Sequence, residues 1–403
     1  MQRLILMLKS IFSLAFLSLS ITAVSQTKNI NFEHSTFAEI KAKAKKENKL
    51  IFVDAFTTWC GPCKQMAKNV FTNDVVADFY NFSFINAKID MEQGEGIEIA
   101  KQYEVKCYPN LLFIDGDGNL VHRIAGSMSA KEFINLGKET QYPEKCFSYF
   151  TKNFEANKTD ADFLAKYIEA RESTCLESQD LVKDYFAQQK EENLTSKANW
   201  DMIVYHINDM DSKVFDFVIA NKQKYIDLYT EKAVNGKIDG VSESALSSII
   251  RMKSFDSKKY NDAKTKIESF KTPNAKLIFV EADMKLAQHN GDWMDYAKLA
   301  MAHVDTYYLK DANMLNSIAW NFYEKVEDKE AISKAEGWAK TACELEKNYA
   351  NLDTYAAVLY KVGKKDLALQ TANKAIEVAK KEKYTEEDYK GTTELIEKIK
   401  GGK

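Results

Sequence analysis

Cys60 and Cys63, in Trp59-Cys60-Gly61-Pro62-Cys63-Lys64, are the residues best placed to do chemistry in this chain. Two thiols separated by two residues can close a small disulfide. An apolar run just before them reads as a strand, so the pair predicts a redox couple at a strand-to-helix turn. At a helix start the first sulfur faces unpaired amides and the positive end of the dipole, which stabilise a thiolate. Pro62 costs the helix little there, because its missing N–H would have been unbonded anyway. The same spacing would serve as half of a zinc site. No second Cys or His pair stands at ligand spacing, so no metal or other cofactor is expected. His34, His122, His206, His289 and His303 show no paired-ligand spacing. His122 alternates within a strand pattern and is expected to face solvent.

Asp54 lies inside the apolar strand, six residues before Cys60. A carboxylate is expensive to bury without a role or a partner. Held beneath the disulfide with a raised pKa, it can pass a proton through water to or from Cys63. Lys88, in the next strand, is its expected charge partner. Pro109, in Lys106-Cys107-Tyr108-Pro109-Asn110, enters another apolar segment. A proline there must occupy the strand's first residue or a tight turn.

The elements that must hold these residues follow from the pattern. Residues 37–48 read as a polar helix, 50–56 as a buried strand, and 65–71 with 75–79 as helix. A strand at 84–89 and a helix at 96–103 follow. Residues 111–114 and 120–124 flank Asp115-Gly116-Asp117-Gly118-Asn119 as strand, turn, strand, and 130–136 closes with a helix. The crossovers imply a parallel pair and the turn an antiparallel hairpin. Beyond residue 145 strand patterns cease. Residues 160–172, 181–190, 197–209, 213–234 and 242–253 show helical spacing. In the last third, Ala319-Trp320-Asn321-Phe322-Tyr323 matches Ala356-Ala357-Val358-Leu359-Tyr360 at an offset of 37 residues. Ala339-Lys340-Thr341-Ala342 matches Ala372-Asn373-Lys374-Ala375 at 33. This is the signature of a helical hairpin used twice, with the slack taken up in a turn.

Residues 52–64, Ala87-Lys88-Ile89-Asp90, Tyr108-Pro109 followed by Leu111-Leu112-Phe113, and Gly126 together resemble thioredoxin. The resemblance implies an α/β thioredoxin-like domain over 26–145, a central mixed sheet flanked by helices. It implies Cys60 as the attacking thiol, Cys63 as the resolving thiol and Asp54 with Lys88 as a proton-relay pair. Pro109 becomes the cis-proline that shapes a substrate groove. Trp59, Gly61, Pro62, Tyr108 and Cys107 line that groove, and Gly126 keeps its edge open. Cys107 and Asn110 depart from the usual pattern beside the proline. The segment 313–383 resembles degenerate tetratricopeptide repeats. The expected architecture beyond the first domain is therefore an all-α helical-hairpin solenoid: a helical region at 146–312, the repeats, and a polar tail at 384–403.

Residues 1–25 read as a secretory signal. Arg3 and Lys9 precede an uncharged run, and Ala23-Val24-Ser25 sets cleavage before Gln26. An exported chain meets conditions in which disulfides persist, so Cys146 and Cys175 are expected to form a structural disulfide at the domain junction, and Cys343 to be buried and inert. With Asp and Glu at 59 against Lys and Arg at 56, the net charge of −3 gives no electrostatic case for nucleic acid. The function expected is an exported protein-disulfide reductase acting on disulfide or thiol proteins. It would be fed by a membrane electron donor and dock protein through its helical region. The competing classes are an envelope interaction scaffold with a regulatory redox domain and a thiol-dependent peroxidase using Cys107.

Overall fold

Leu50–Phe56 alternates its side chains between two apolar layers, and that alternation organises the first half of the molecule. The computed structural model describes residues 28–401, so the signal segment at 1–25 lies outside the described residues. The chain divides into two compact units between Glu191 and Glu192.

In the first unit, β1 (Phe32–Glu33), α1 (Phe37–Glu47), β2 (Leu50–Phe56), α2 (Gly61–Asn69), α3 (Asp74–Ser83) and β3 (Phe84–Asp90) follow one another. Then come α4 (Gly96–Gln102), β4 (Asn110–Ile114), β5 (Leu120–Ala125) and α5 (Ala130–Glu139). The sheet order is β1-β3-β2-β4-β5. β2 and β3 run parallel, while β4 is antiparallel to both β2 and β5. Ile51, Val53 and Ala55 pack with Phe37, Ile40, Ile99 and Leu112 on one side. Phe52 packs with Met66, Val76, Tyr80, Phe113 and Phe133 on the other. Asp54 has the parity of Phe52, so it points to the α2 side. β1 is too short to leave a period in the sequence.

The unit continues through α6 (Phe147–Asn157), α7 (Ala161–Glu172) and α8 (Gln179–Ala187). Helix α6 lies outside the segments expected to be helical, and it accounts for a difference at His122. His122 does not face solvent: it is buried, stacks near Phe113, and its Nδ1 accepts the Phe147 backbone N–H at 3.1 Å. Burial lowers its pKa to about 4, so the ring stays neutral.

The second unit is helical throughout its described length. Its regular helices run from α9 (Lys197–His206), α10 (Lys213–Ala220), α11 (Lys222–Tyr229) and α12 (Glu231–Ile250) to α13 (Ser257–Ser269), α14 (Ala275–Asn290) and α15 (Trp293–Tyr307). They end with α16 (Ala312–Lys325), α17 (Lys329–Leu345), α18 (Tyr349–Lys361), α19 (Lys365–Lys381) and α20 (Lys390–Lys400). The expected helix at 213–234 is broken twice. Asn221 ends α10, and Thr230, at φ 84°, caps α12 by accepting the Ala233 N–H. The matched segments fall on corresponding helices, α16 with α18 and α17 with α19, and each neighbouring pair packs together. Ala319, Ala335, Ala339, Ala342, Ala356, Ala368 and Ala372 are buried where these helices approach. Cys343 is only half-buried, and its pKa is pushed up to about 11 by desolvation.

Candidate functional site

Cys60 is the N-cap of α2, in extended backbone, so its side chain faces the helix's unpaired amides. Its Sγ accepts the Cys63 backbone N–H at 3.1 Å. The two sulfurs form a disulfide with Cα atoms 5.3 Å apart. Both cysteines are almost wholly buried, whereas Gly61 and Pro62 are exposed and Trp59 stands 64% open. Solvent and partners therefore meet Trp59 and the first turn of α2 before they meet sulfur.

In β2, Asp54 is completely buried and neither carboxylate oxygen has a hydrogen-bond partner. Lys88 Nζ lies 3.3 Å from Oδ2 as a charge neighbour without an aligned hydrogen bond. The register that sets Asp54 beside Lys88 and Leu111 fixes this pairing. The ammonium also lies 4.7 Å from the centroid of Phe56. Burial raises the Asp54 pKa and Lys88 pulls it partly back, leaving it at about 6. A carboxyl with that value can both hold and release a proton near neutrality.

The third wall is the segment entering β4. The Tyr108–Pro109 peptide bond is cis. The Tyr108 ring meets Trp59 edge-on at 5.9 Å, which brings the two segments together. Gly126, at φ 100°, donates its N–H to the Pro109 carbonyl at 2.8 Å. Asn110 Oδ1 accepts from Arg123 at 3.3 Å.

Three contributors escape a reading of spacing alone. Glu92 accepts the Trp59 indole N–H at 3.0 and 3.1 Å. Partial burial, with Glu92 and Asp90 nearby, raises the Tyr108 pKa. Arg123 is buried and donates to the Tyr103 and Glu104 carbonyls as well as to Asn110, bracing the turn before Pro109. Burial brings its pKa down to about 10. An Arg in an exposed-looking strand position gave no signal of this. The third is the partner of Cys107.

Cys107 is bonded to Cys175, with Cα atoms 6.2 Å apart. The expected Cys146–Cys175 disulfide is therefore absent. Cys146 is a free, buried thiol lying 3.5 Å from the Tyr142 carbonyl and 3.7 Å from that of Glu139, at the far end of α5. Burial raises its pKa to about 11. Cys175 instead turns from the end of α7 toward the loop ahead of Pro109. Among the described residues there is no cluster of three or more His, Cys, Asp or Glu able to hold a metal ion. None of their helices is long and apolar enough to cross a membrane.

Comparison with known proteins finds a family model described as a thioredoxin-like domain over residues 37–141. The chain is 32% identical over 91 residues to thioredoxin from Mycoplasmoides gallisepticum, a match covering 23% of this chain and 84% of that protein. It is 28% identical over 118 residues to the thiol:disulfide interchange protein DsbD of Yersinia pestis. That match covers 28% of this chain and 20% of the relative, so the chain spans about a fifth of the relative's length. Among solved structures, a candidate disulphide-isomerase from Bacteroides thetaiotaomicron is 46% identical. The match covers 29% of this chain and 97% of that one, with a TM-score of 0.28.

Proposed function

Because the chain belongs to the thioredoxin-like family through residues 37–141, we propose that it is a thiol–disulfide oxidoreductase, and specifically an exported protein-disulfide reductase. The observation that carries this reading is the Cys60–Cys63 disulfide, seated on the α2 N-terminus on the side of the sheet where Asp54 is buried.

In the reduced protein, the Cys60 thiolate attacks one sulfur of a substrate disulfide. The other substrate sulfur leaves as a thiolate, and a mixed disulfide remains. Asp54 takes the Cys63 proton through a water, and Cys63 then attacks Cys60 Sγ. The second substrate thiolate leaves and the Cys60–Cys63 disulfide forms. Two electrons have passed to the substrate, and a donor dithiol must restore them. Trp59, Tyr108 and cis-Pro109 form the surface on which the substrate chain lies. The signal-like residues 1–25 support export, which in turn calls for a membrane-borne electron donor. The duplicated helices of α16–α19 support a tetratricopeptide-like solenoid that docks a protein partner.

The test is a trapping experiment with reduced full-length protein and insulin. Cys63→Ser should accumulate a mixed disulfide through Cys60, whereas Cys60→Ser should neither trap nor reduce. Equal trapping by both variants would refute the assignment of roles. Peroxide consumption by wild type exceeding its insulin reduction would favour the peroxidase class instead.

A further inference from the structure

A second disulfide stands beside the groove, and its surroundings differ from those of Cys60–Cys63. Cys175 is exposed and Cys107 is partly exposed, whereas Cys60 and Cys63 are 3% and 2% exposed. Exposed disulfides are the ones thiolates reach, and they tend to be labile or regulatory. Cys107 lies two residues before cis-Pro109, in the loop that Arg123 braces through Tyr103 and Glu104.

The backbone at Cys175 is equally unusual. The Leu176 N–H donates to the Arg171 carbonyl and the Cys175 N–H to that of Glu172, each at 3.0 Å. This is a Schellman ending of α7, and Cys175 occupies its left-handed position at φ 58°. Glycine is the residue that fits there freely, and a side chain is strained. At that position the sulfur projects outward to Cys107 instead of into a core.

The bond also lies two residues from a contact that covers a sheet edge. β5 is the last strand of the sheet. The N–H of its final residue, Ala125, donates to the Ser173 carbonyl at 2.8 Å, two residues before Cys175. The next N–H, of Gly126, is the one bonded to Pro109. Uncovered, the Ala125 N–H is an edge donor available to an extended peptide lying beside the groove.

We propose that Cys107–Cys175 is a second thiol–disulfide exchange site, taking dithiol reductants, whose reduction uncovers the end of β5 for substrate. A donor thiolate attacks Cys175 Sγ, the Cys175–Cys107 bond breaks, and Cys107 leaves as a thiolate that is then protonated. The donor's second thiolate attacks the mixed disulfide and releases the Cys175 thiolate, which takes up a proton. The donor leaves as a disulfide, having delivered two electrons. The exchange itself stands apart from the proposed function; the effect on substrate rests on it.

The test equilibrates full-length wild type with graded mixtures of reduced and oxidised dithiothreitol, followed by alkylation, peptide mapping and amide hydrogen exchange. Cys107 and Cys175 should become alkylated in mixtures no more reducing than those that open Cys60–Cys63. The same should hold in a Cys60→Ser/Cys63→Ser protein, which keeps the result independent of the catalytic reading. Exchange at the Ala125 amide should accelerate at least tenfold on reduction. A Cys107→Ser/Cys175→Gly variant, with glycine placed at the helix end, should show that fast exchange without reductant. Its ratio of insulin reduction to reduction of a small aromatic disulfide should rise at least threefold over wild type with Cys107–Cys175 oxidised. Persistence of Cys107–Cys175 in mixtures that fully reduce Cys60–Cys63 would overturn the proposal, as would reduction with no change at Ala125. If both pairs open as expected but insulin is never reduced, the second site stands and the proposed function falls.

Discussion

Asp54 and His122 hold opposite answers to the same question, what burial does to a titrating side chain, and both contribute to the pH dependence of the first unit between about pH 4 and 6. The folded Asp54 pKa of about 6 lies above its ordinary 3.8. Between those values the folded protein binds the extra proton, so stability falls as pH rises through the window and the cost is fully present above pH 6. The shift corresponds to about 3 kcal/mol. His122 moves from 6.5 to about 4. Here the unfolded chain binds the extra proton, so stability is full above 6.5 and is lost as pH falls toward 4, again by about 3 kcal/mol. The two slopes nearly cancel in wild type between pH 4 and 6. Asp54→Asn should therefore stabilise the first unit above pH 6, less whatever Lys88 loses with its partner, and should expose a steep acid loss. His122→Gln should expose the reverse slope. Denaturant titrations across pH 4–8, followed by hydrogen exchange of β2 and β4 peptides, check both. Parallel pH profiles for the two variants would show that neither group is charged as described. Asp54 was legible because a carboxylate interrupts an apolar run, and Lys88 because the same parity sits in the next strand. Arg123 and His122 were not: they point to opposite faces of the edge strand β5, and their partners, the Tyr103 and Glu104 carbonyls for one and the Phe147 N–H for the other, are remote in sequence.

At the scale of elements, the close approach of α5 to α3 carries a specific cost. A Cβ at Gly137 would stand 2.7 Å from Phe79 Cε1, 3.1 Å from the Tyr80 hydroxyl and 3.2 Å from Phe84 Cε2. Tyr80 cannot easily give way: its ring stacks on Phe133 at 4.0 Å and its hydroxyl donates to the Phe133 carbonyl at 2.7 Å. Alanine would gain about 1 kcal/mol of helix propensity, but overpacking here costs about 1–3 kcal/mol. Gly137→Ala should therefore be net destabilising by about 1 kcal/mol. Adding Phe79→Leu, which removes the nearest ring atoms, should recover most of it, as read from the denaturant midpoint. A stabilised Gly137→Ala single variant would mean the helices separate freely. The strands β2 to β5 were readable because each is a short apolar run beside a turn signal. The ends of α10, α11 and α12 were not, because Asn221 and Thr230 break a continuous apolar period through backbone conformation.

For the molecule as a whole, the cysteines show why the first unit extends to Glu191. A change of composition near residue 145 marks the last strand pattern, but the contacts that complete the sheet come from beyond it. Phe147 and Phe150 of α6 are buried, and the Phe147 N–H is the partner of His122. The Phe147 ring lies 5.8 Å from the Arg123 guanidinium. Ser173 holds Ala125, and Cys175 holds Cys107 across 68 residues. Closing a loop of that length restricts the unfolded chain by about 4 kcal/mol in the simple entropy model. None of these ties is a local pattern; each joins residues far apart in sequence, which is why an expectation resting on compartment and position at the junction paired Cys175 with the wrong cysteine. A fragment spanning 26–191 should then fold with Cys107 protected from alkylation. A fragment spanning 26–145 should expose Cys107, leave the His122 Nδ1 without its donor, and unfold at least 3 kcal/mol more easily by denaturant titration. Reducing the longer fragment should move it only part of the way toward the shorter one, because the burial of α6 survives the loss of the disulfide. Coincident midpoints for the oxidised 26–191 and 26–145 fragments would place the whole of the first unit's stability in the sheet and its five flanking helices, and α6–α8 would then be passengers on it.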